Sequence, residues 1–204
     1  KDKASGNVIG LFYTDYYERP GTKRGGAWES SIRNRGIYNG QDQIPIVFNN
    51  TNFAKADVGP TLLTMRQVQT IFHEFGHAMH DLLAEGRYPS MTGTSVTWDF
   101  VELPSQLQEN WVRKKEVIDS FARHYQTGQP ISDDLINKIS KMENEGAGSS
   151  GRGQTFLALL DMAWHTTDPK DIKSVKQLEK KVRSENGFAA TSSLRSPSFS
   201  HLFA

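Results

Sequence analysis

The sequence predicts a mainly α-helical protein with a small β-sheet near its amino-terminal end. β-branched and aromatic residues concentrate in two segments before residue 50, whereas apolar residues recur at helical spacing after residue 64. A chain of 204 residues is long enough to bury the core of one domain. We therefore expect a single domain, in which residues 1–63 contain the sheet and residues 64–204 form the helical part.

Two segments have the composition of strands, residues 8–17 and residues 44–49. The stretch between them is rich in glycine and in basic residues, including Gly25 and Gly26. Glycine favours turns over regular structure, so we expect a solvated loop there.

The first helix is predicted from about residue 65 to about residue 85. Thr64 with Gln67 three residues later forms the pattern of a capping box, and Gly86 suits a carboxy-terminal stop. The apolar residues between these two signals recur with a period near 3.6, as in an amphipathic helix. They are Val68, Ile71, Phe72, Phe75, Met79, Leu82 and Leu83.

Further helical patterns follow along the chain. A second helix begins near Thr97 and runs through Leu107 to Val112, and four more are predicted at about 115–127, 133–144, 153–167 and 173–185. Residues 144–153 and 186–197 are rich in Gly, Ala and Ser, which predicts flexible loops.

The string His-Glu-Phe-Gly-His at residues 73–77 lies within the first predicted helix. Residues four apart share one helix face, so His73 and His77 can bind one Zn²⁺ through their imidazole nitrogens. Glu74 then lies beside the metal, free to take a proton from water. The alternative is that both histidines are hydrogen-bonded residues of the core.

A catalytic zinc needs a third protein ligand and one open position. His80 lies two turns from His73 and is too far away to share its metal, so we interpret it as structural or as an orienting residue. Glu102, near the start of the second helix, is the remaining candidate, although it could also be an ordinary surface glutamate. Asp99 shares its face and could accept the second N–H of a zinc-bound imidazole.

Several strings in this chain resemble peptidase family M3, the zinc metallopeptidases that include thimet oligopeptidase, oligopeptidase A and peptidyl-dipeptidase. The resemblance covers nearly the whole chain, and so many separate strings do not coincide by chance. The strings are GLFY at 10–13, GGAW at 25–28, HEFGHAMH at 73–80, GT at 93–94, DFVELPSQ at 99–106, ENW at 109–111, LLDMAWH at 159–165 and FSHLFA at 199–204.

The resemblance implies a zincin-like (gluzincin) metallopeptidase core that acts on short peptides. Carried over by position, one zinc ion per chain would be held by His73, His77 and Glu102, with Glu74 as general base. His201 would hydrogen-bond the substrate backbone near the bond that is cut.

The resemblance also implies a longer enzyme. Family members continue beyond the position of Ala204 with tyrosines that bind substrate, and they are about three times longer, so we expect this chain to be a catalytic-core fragment. Among activities, the strings LLDMAWH and TSVTWDFVE favour the peptidyl-dipeptidase branch over an oligopeptidase endopeptidase. A zinc-binding but inactive core, associating with itself or with a complementing chain, is the third possibility.

Composition narrows the choice of partners. The formal net charge is +1 with both signs mixed, so nothing points to nucleic acid or to an anionic membrane. There is no cysteine, no apolar run of membrane-spanning length and no signal peptide in the sequence. The compartment stays open between cytoplasm and periplasm.

Overall fold

A computed structural model describes residues 1–188 and 195–203. The chain divides into two compact units, Lys1–Ile131 and Ser132–Ala204, and each is described separately below. All strands in the described residues precede residue 54, and every α-helix follows residue 64. This order confirms the mainly α class with a small sheet, while the single domain stays a prediction.

A three-stranded mixed sheet opens the first unit. Its strands are β1 (Leu11–Tyr17), β2 (Trp28–Arg33) and β5 (Ile46–Phe53), in the order β1-β5-β2. The central β5 runs parallel to β1 and antiparallel to β2. A separate hairpin pairs β3 (Gly36–Tyr38) with β4 (Gln41–Gln43).

The sequence predicted only β1 and β5, and the expectation of a loop across residues 28–43 was wrong. β2 reads Trp-Glu-Ser-Ser-Ile-Arg and lacks the apolar run that marks a strand. It forms because its backbone N–H and C=O groups pair with those of β5. This pairing is a tertiary contact that local composition does not reveal.

Helix α1 (Met65–Leu83) packs one face against the sheet. Val47 of β5 forms a buried cluster with Ala78 and Leu82, and Phe75 packs against it. The helix begins where predicted, because Thr64 Oγ1 accepts from the Gln67 N–H and Gln67 Oε1 accepts from the Thr64 N–H. It ends two residues earlier than expected, with Ala84 rather than a glycine as its C-cap.

The opposite face of α1 packs against helix α2 (Trp98–Glu109). Gly76 makes this close approach possible: a Cβ built there would lie 2.5 Å from Ser105 Cα and 2.6 Å from the Pro104 carbonyl oxygen. A 3₁₀ turn (Asn110–Arg113) and helix α3 (Lys115–Phe121) follow. α3 is shorter than the predicted segment at 115–127.

The second unit contains helix α4 (Asp133–Thr166) and helix α5 (Val175–Glu185). α4 is one helix of 34 residues, so the flexible loop predicted at 144–153 was wrong. The four glycines in that stretch have open space where a Cβ would lie, and the flanking helical turns continue through them. Phe156 and Leu160 of α4 pack with Val182 and Leu202 to form the core of this unit.

Short 3₁₀ turns complete both units. They lie at Pro89–Met91 in the first unit and at Pro169–Asp171, Ser196–Ser198 and Ser200–Phe203 in the second. The loop predicted at 186–197 lies partly outside the described residues. Within the described part of the chain, no helix has the length and apolar character needed to cross a membrane.

Candidate metal centre

His73 and His77 lie one turn apart on α1, and their rings are in edge-to-face contact. The ring centroids are 5.0 Å apart and the planes are nearly perpendicular, at 84°. The His73 side chain is 26% exposed and that of His77 is 12% exposed. The two imidazoles therefore lie on a mostly buried face of the helix, and His73 is the more exposed of the two.

Glu102 of α2 completes a cluster of three possible ligands. Its Oε2 atom lies 3.2 Å from His73 Nε2 and 3.3 Å from His77 Nε2. One ligand atom from each of the three residues lies within 4.8 Å of the others. The Glu102 side chain is 49% exposed, so this side of the cluster is open to solvent.

The chemistry and spacing of this donor set fit a tetrahedral zinc ion. Ligand atoms about 2.0–2.2 Å from such an ion lie roughly 3.3–3.6 Å from one another. Of the two separations from Glu102 Oε2, 3.3 Å lies at the short end of that range and 3.2 Å lies just below it. Two imidazoles and one carboxylate also form the donor set of catalytic zinc sites that keep a fourth position free.

A second carboxylate fixes the tautomer of His73. Glu109 Oε1 lies 2.7 Å from His73 Nδ1, and Gln69 Nε2 donates to Glu109 Oε2 at 2.5 Å. With its proton held on Nδ1, His73 directs the lone pair of Nε2 toward Glu102 and His77. Asp99, the residue expected in this role, is exposed on the first turn of α2, and Glu109 is the carboxylate that contacts Nδ1 of His73.

Ser105 orients the third candidate ligand. This serine is fully buried, and its hydroxyl lies within hydrogen-bond distance of Glu102 Oε2 at 2.7 Å and of the Glu102 carbonyl oxygen at 2.9 Å, of which Oε2 is the nearer acceptor. The bond holds the oxygen that faces both histidines. Because Ser105 also lies against Gly76, the close contact of the two helices and the orientation of Glu102 depend on the same residues.

Glu74 is buried next to this cluster, with 5% of its surface exposed. Burial raises the pKa of Glu74 to about 7, helped by the charge of Glu102 and opposed by that of His73. Burial also lowers the pKa of His77, which favours the neutral imidazole that a metal requires. A bound cation would lower the pKa of Glu74 again.

The other histidines named from the sequence lie elsewhere. His80 contacts the ring of Phe100, with centroids 6.0 Å apart. His201 belongs to the second unit, where it is exposed on the 3₁₀ turn Ser200–Phe203 and contacts the ring of Phe199 at 5.3 Å. Ala204 lies outside the described residues. The assignment of His201 to substrate therefore stays a prediction.

Sequence reasoning did not find Glu109, Gln69 or Ser105. A signal existed for two of them: Gln69 precedes His73 by one turn on the same face, and Glu109 follows Glu102 by two turns. Ser105 gives no such signal, because its role depends on how closely α2 approaches Gly76.

The helix with its two histidines, its supporting sheet and the carboxylate from the following helix together have the features of a zincin-type metallopeptidase core. The chain belongs to peptidase family M3, whose sequence model matches residues 1–204. This membership confirms the resemblance seen in the sequence.

Curated relatives in this family carry different names. The chain is 34% identical to dipeptidyl carboxypeptidase of Escherichia coli over 98% of its own length and 30% of that protein. It is 35% identical to oligopeptidase A of Haemophilus influenzae (96% and 29%). It is 34% identical to human mitochondrial intermediate peptidase (81% and 23%). The chain thus spans less than a third of these relatives.

Proposed function

We propose that this chain is the metal-binding core of a zinc peptidase that hydrolyses short peptides. The observation that carries the proposal is the convergence of His73, His77 and Glu102 beside the buried carboxyl of Glu74. Membership of family M3 supports the same reading.

In this proposal each residue of the centre has one role. His73, His77 and Glu102 hold one zinc ion, and the exposed side of Glu102 leaves room for water and a peptide carbonyl. Bound zinc supplies a Lewis acid that polarises the carbonyl and makes water more acidic. Glu74 takes a proton from the attacking water and returns it to the leaving amine.

The test of this mechanism is the substitution Glu74→Gln in the zinc-loaded chain. We expect peptide hydrolysis to fall at least a hundredfold, because general-base catalysis contributes about that much or more, while bound zinc stays at the natural level. Hydrolysis that survives the substitution contradicts the role of Glu74. A natural chain that binds zinc but cleaves no peptide supports the alternative of a metal-binding core without activity of its own.

We further propose removal of C-terminal dipeptides as the specific activity. The two relatives named dipeptidyl carboxypeptidase, from Escherichia coli and Salmonella typhimurium, each match 98% of this chain. The competing activity is endopeptidase cleavage, which the similarity to oligopeptidase A favours. A peptidyl-dipeptidase requires the free C-terminal carboxylate of its substrate, so amidating the C-terminus of a test peptide should abolish cleavage. Unchanged cleavage of the amidated peptide supports the endopeptidase.

A further inference from the structure

Asp81 is a buried carboxylate that the proposed reaction does not use. It lies on α1 one turn beyond His77 and on the same side of the helix as both histidines. Only 1% of its surface is exposed. A buried charge is expensive unless it is paired or hydrogen-bonded, so the groups that contact Asp81 explain why it is tolerated there.

The hydrogen bonds of Asp81 reach two other elements of the first unit. Thr94 donates to it twice, from its backbone N–H to Oδ1 at 2.6 Å and from its hydroxyl to Oδ2 at 3.3 Å. The hydroxyl of Ser31 on β2 donates to Oδ2. Gly93 has a positive φ of 59°, and a Cβ there would collide with the Asp81 carboxylate, so the loop at 93–94 is shaped around this side chain.

Glu29 of β2 supplies a third contact to Asp81. Burial, followed by the charge of Asp81 and a hydrogen bond to it, raises the pKa of Glu29 to about 9. With that pKa, Glu29 is mostly protonated near pH 7 and can donate a hydrogen bond to Asp81. The interaction places a donor, rather than a second negative charge, against the buried carboxylate.

These contacts bear directly on the position of α2. The loop that Asp81 holds at Thr94 leads after three residues into this helix, which carries Glu102. Two other contacts lie nearby: Asn34 Nδ2 donates to Ser95 Oγ at 3.1 Å, and the exposed ring of Phe100 contacts His80. Thr97 makes no side-chain capping bond, and Trp98 and Asp99 are exposed. The contact between Gly76 and Ser105 lies further along the helix.

We propose that Asp81 is a positioning residue for the metal centre, holding the loop before α2 so that Glu102 meets His73 and His77. The proposal rests on the proposed function, since it takes those three residues as the ligands. Asp81 joins the helix that carries two ligands to the loop that precedes the third, and it anchors both to β2.

The test uses Co²⁺ in place of zinc, because its visible absorption reports the geometry of its ligands. We expect Asp81→Asn to raise the dissociation constant for Co²⁺ at least tenfold and to alter the absorption bands. The asparagine oxygen can still accept from the Thr94 N–H, but its NH₂ group cannot accept from the hydroxyl groups. Thr94→Val, which removes only one hydroxyl, should change both readouts in the same direction by a smaller amount.

Two controls separate positioning from general stability. Asp134→Asn removes a carboxylate that is 74% exposed in the second unit and should leave Co²⁺ binding unchanged. Urea unfolding of each metal-free variant identifies losses of affinity that follow only from unfolding. If Asp81→Asn does not fold, Thr94→Val alone decides the matter.

The outcomes distinguish the positioning role of Asp81 from the proposed function of the metal centre. Natural affinity and natural absorption bands in folded Asp81→Asn, or in Thr94→Val when the former does not fold, overturn the positioning role and leave the proposed function intact. A natural chain that binds no Co²⁺ overturns the proposed function, and the positioning role with it.

Discussion

The hydrogen bond between His73 and Glu109 gives the centre its orientation. Residues that hold the second nitrogen of a metal-binding imidazole typically change metal affinity by about 10–100-fold when they are replaced. Glu109→Gln keeps the shape of the side chain but removes the charge that faces His73 Nδ1 at 2.7 Å.

We therefore expect Glu109→Gln to weaken zinc binding by about tenfold or more, measured by competition with a chelator. The matched control is Glu116→Gln, which changes an exposed glutamate on α3. Equal zinc affinity in the two variants would show that Glu109 does not support the ligand.

The buried carboxyl of Glu29 predicts a specific dependence of stability on pH. In the unfolded chain Glu29 ionises near pH 4.5, whereas in the folded chain its pKa is about 9 because of burial, Asp81 and Glu74. Between these values the folded state binds more protons than the unfolded state. The free energy of unfolding therefore falls as the pH rises from about 5 to about 9.

Glu29→Gln removes this titration while keeping a hydrogen-bond donor toward Asp81. We expect the stability of the variant, relative to the natural chain, to increase by about 2 kcal/mol or more between pH 5 and pH 9. Urea unfolding of the metal-free chains measures the difference, with exposed Glu18→Gln as control. A constant difference across this range would mean that Glu29 is ionised in the folded chain.

The close approach of α1 and α2 makes Gly76 essential to the centre. Replacing glycine by alanine inside a helix normally stabilises it by about 0.5–1 kcal/mol. At Gly76 the new Cβ would meet backbone atoms of Pro104 and Ser105 within 2.6 Å, and these atoms cannot move without displacing α2.

We expect Gly76→Ala to lower the free energy of unfolding by about 1–3 kcal/mol, as overpacking does, and to weaken zinc binding because Glu102 moves with α2. Gly148→Ala on α4 has open space around it and should be neutral or slightly stabilising. Thermal unfolding of both variants gives the comparison. A stable Gly76→Ala variant with natural zinc affinity would show that α2 adjusts without harm to the centre.

The same elements show what the sequence could and could not predict. The start of α1 was predictable because its capping box is local, being formed by Thr64 and Gln67. β2 was missed because Ser30 and Ser31 form a strand only by pairing with β5. The helical stretch around Gly148 was missed because glycine composition indicated a loop, whereas the flanking turns of α4 continue through it.

For the centre itself, the spacing of His73, Glu74 and His77 was sufficient to suggest a metal, since i,i+4 geometry follows from the helix alone. Glu102 was named from the chemistry of its position and from the family resemblance. Glu109 was missed in favour of Asp99, because the choice between two carboxylates on one helix depends on how α2 is rotated against α1. That rotation is set by tertiary packing, including the contact of Gly76 with Ser105, which the sequence does not show.

For the protein as a whole, the sheet and α1 form a support onto which α2 brings Glu102. The three proposed zinc ligands all lie in the first unit, within Lys1–Ile131. Zinc binding should therefore be a property of this chain, even though it spans less than a third of its curated relatives.

The most direct test of this account is the number of zinc ions bound per chain. Elemental analysis after removal of loosely bound metal should give one zinc per natural chain, and Glu102→Ala should lose it. Zinc near zero in the folded natural chain, or one zinc retained by Glu102→Ala, would contradict the three-residue centre.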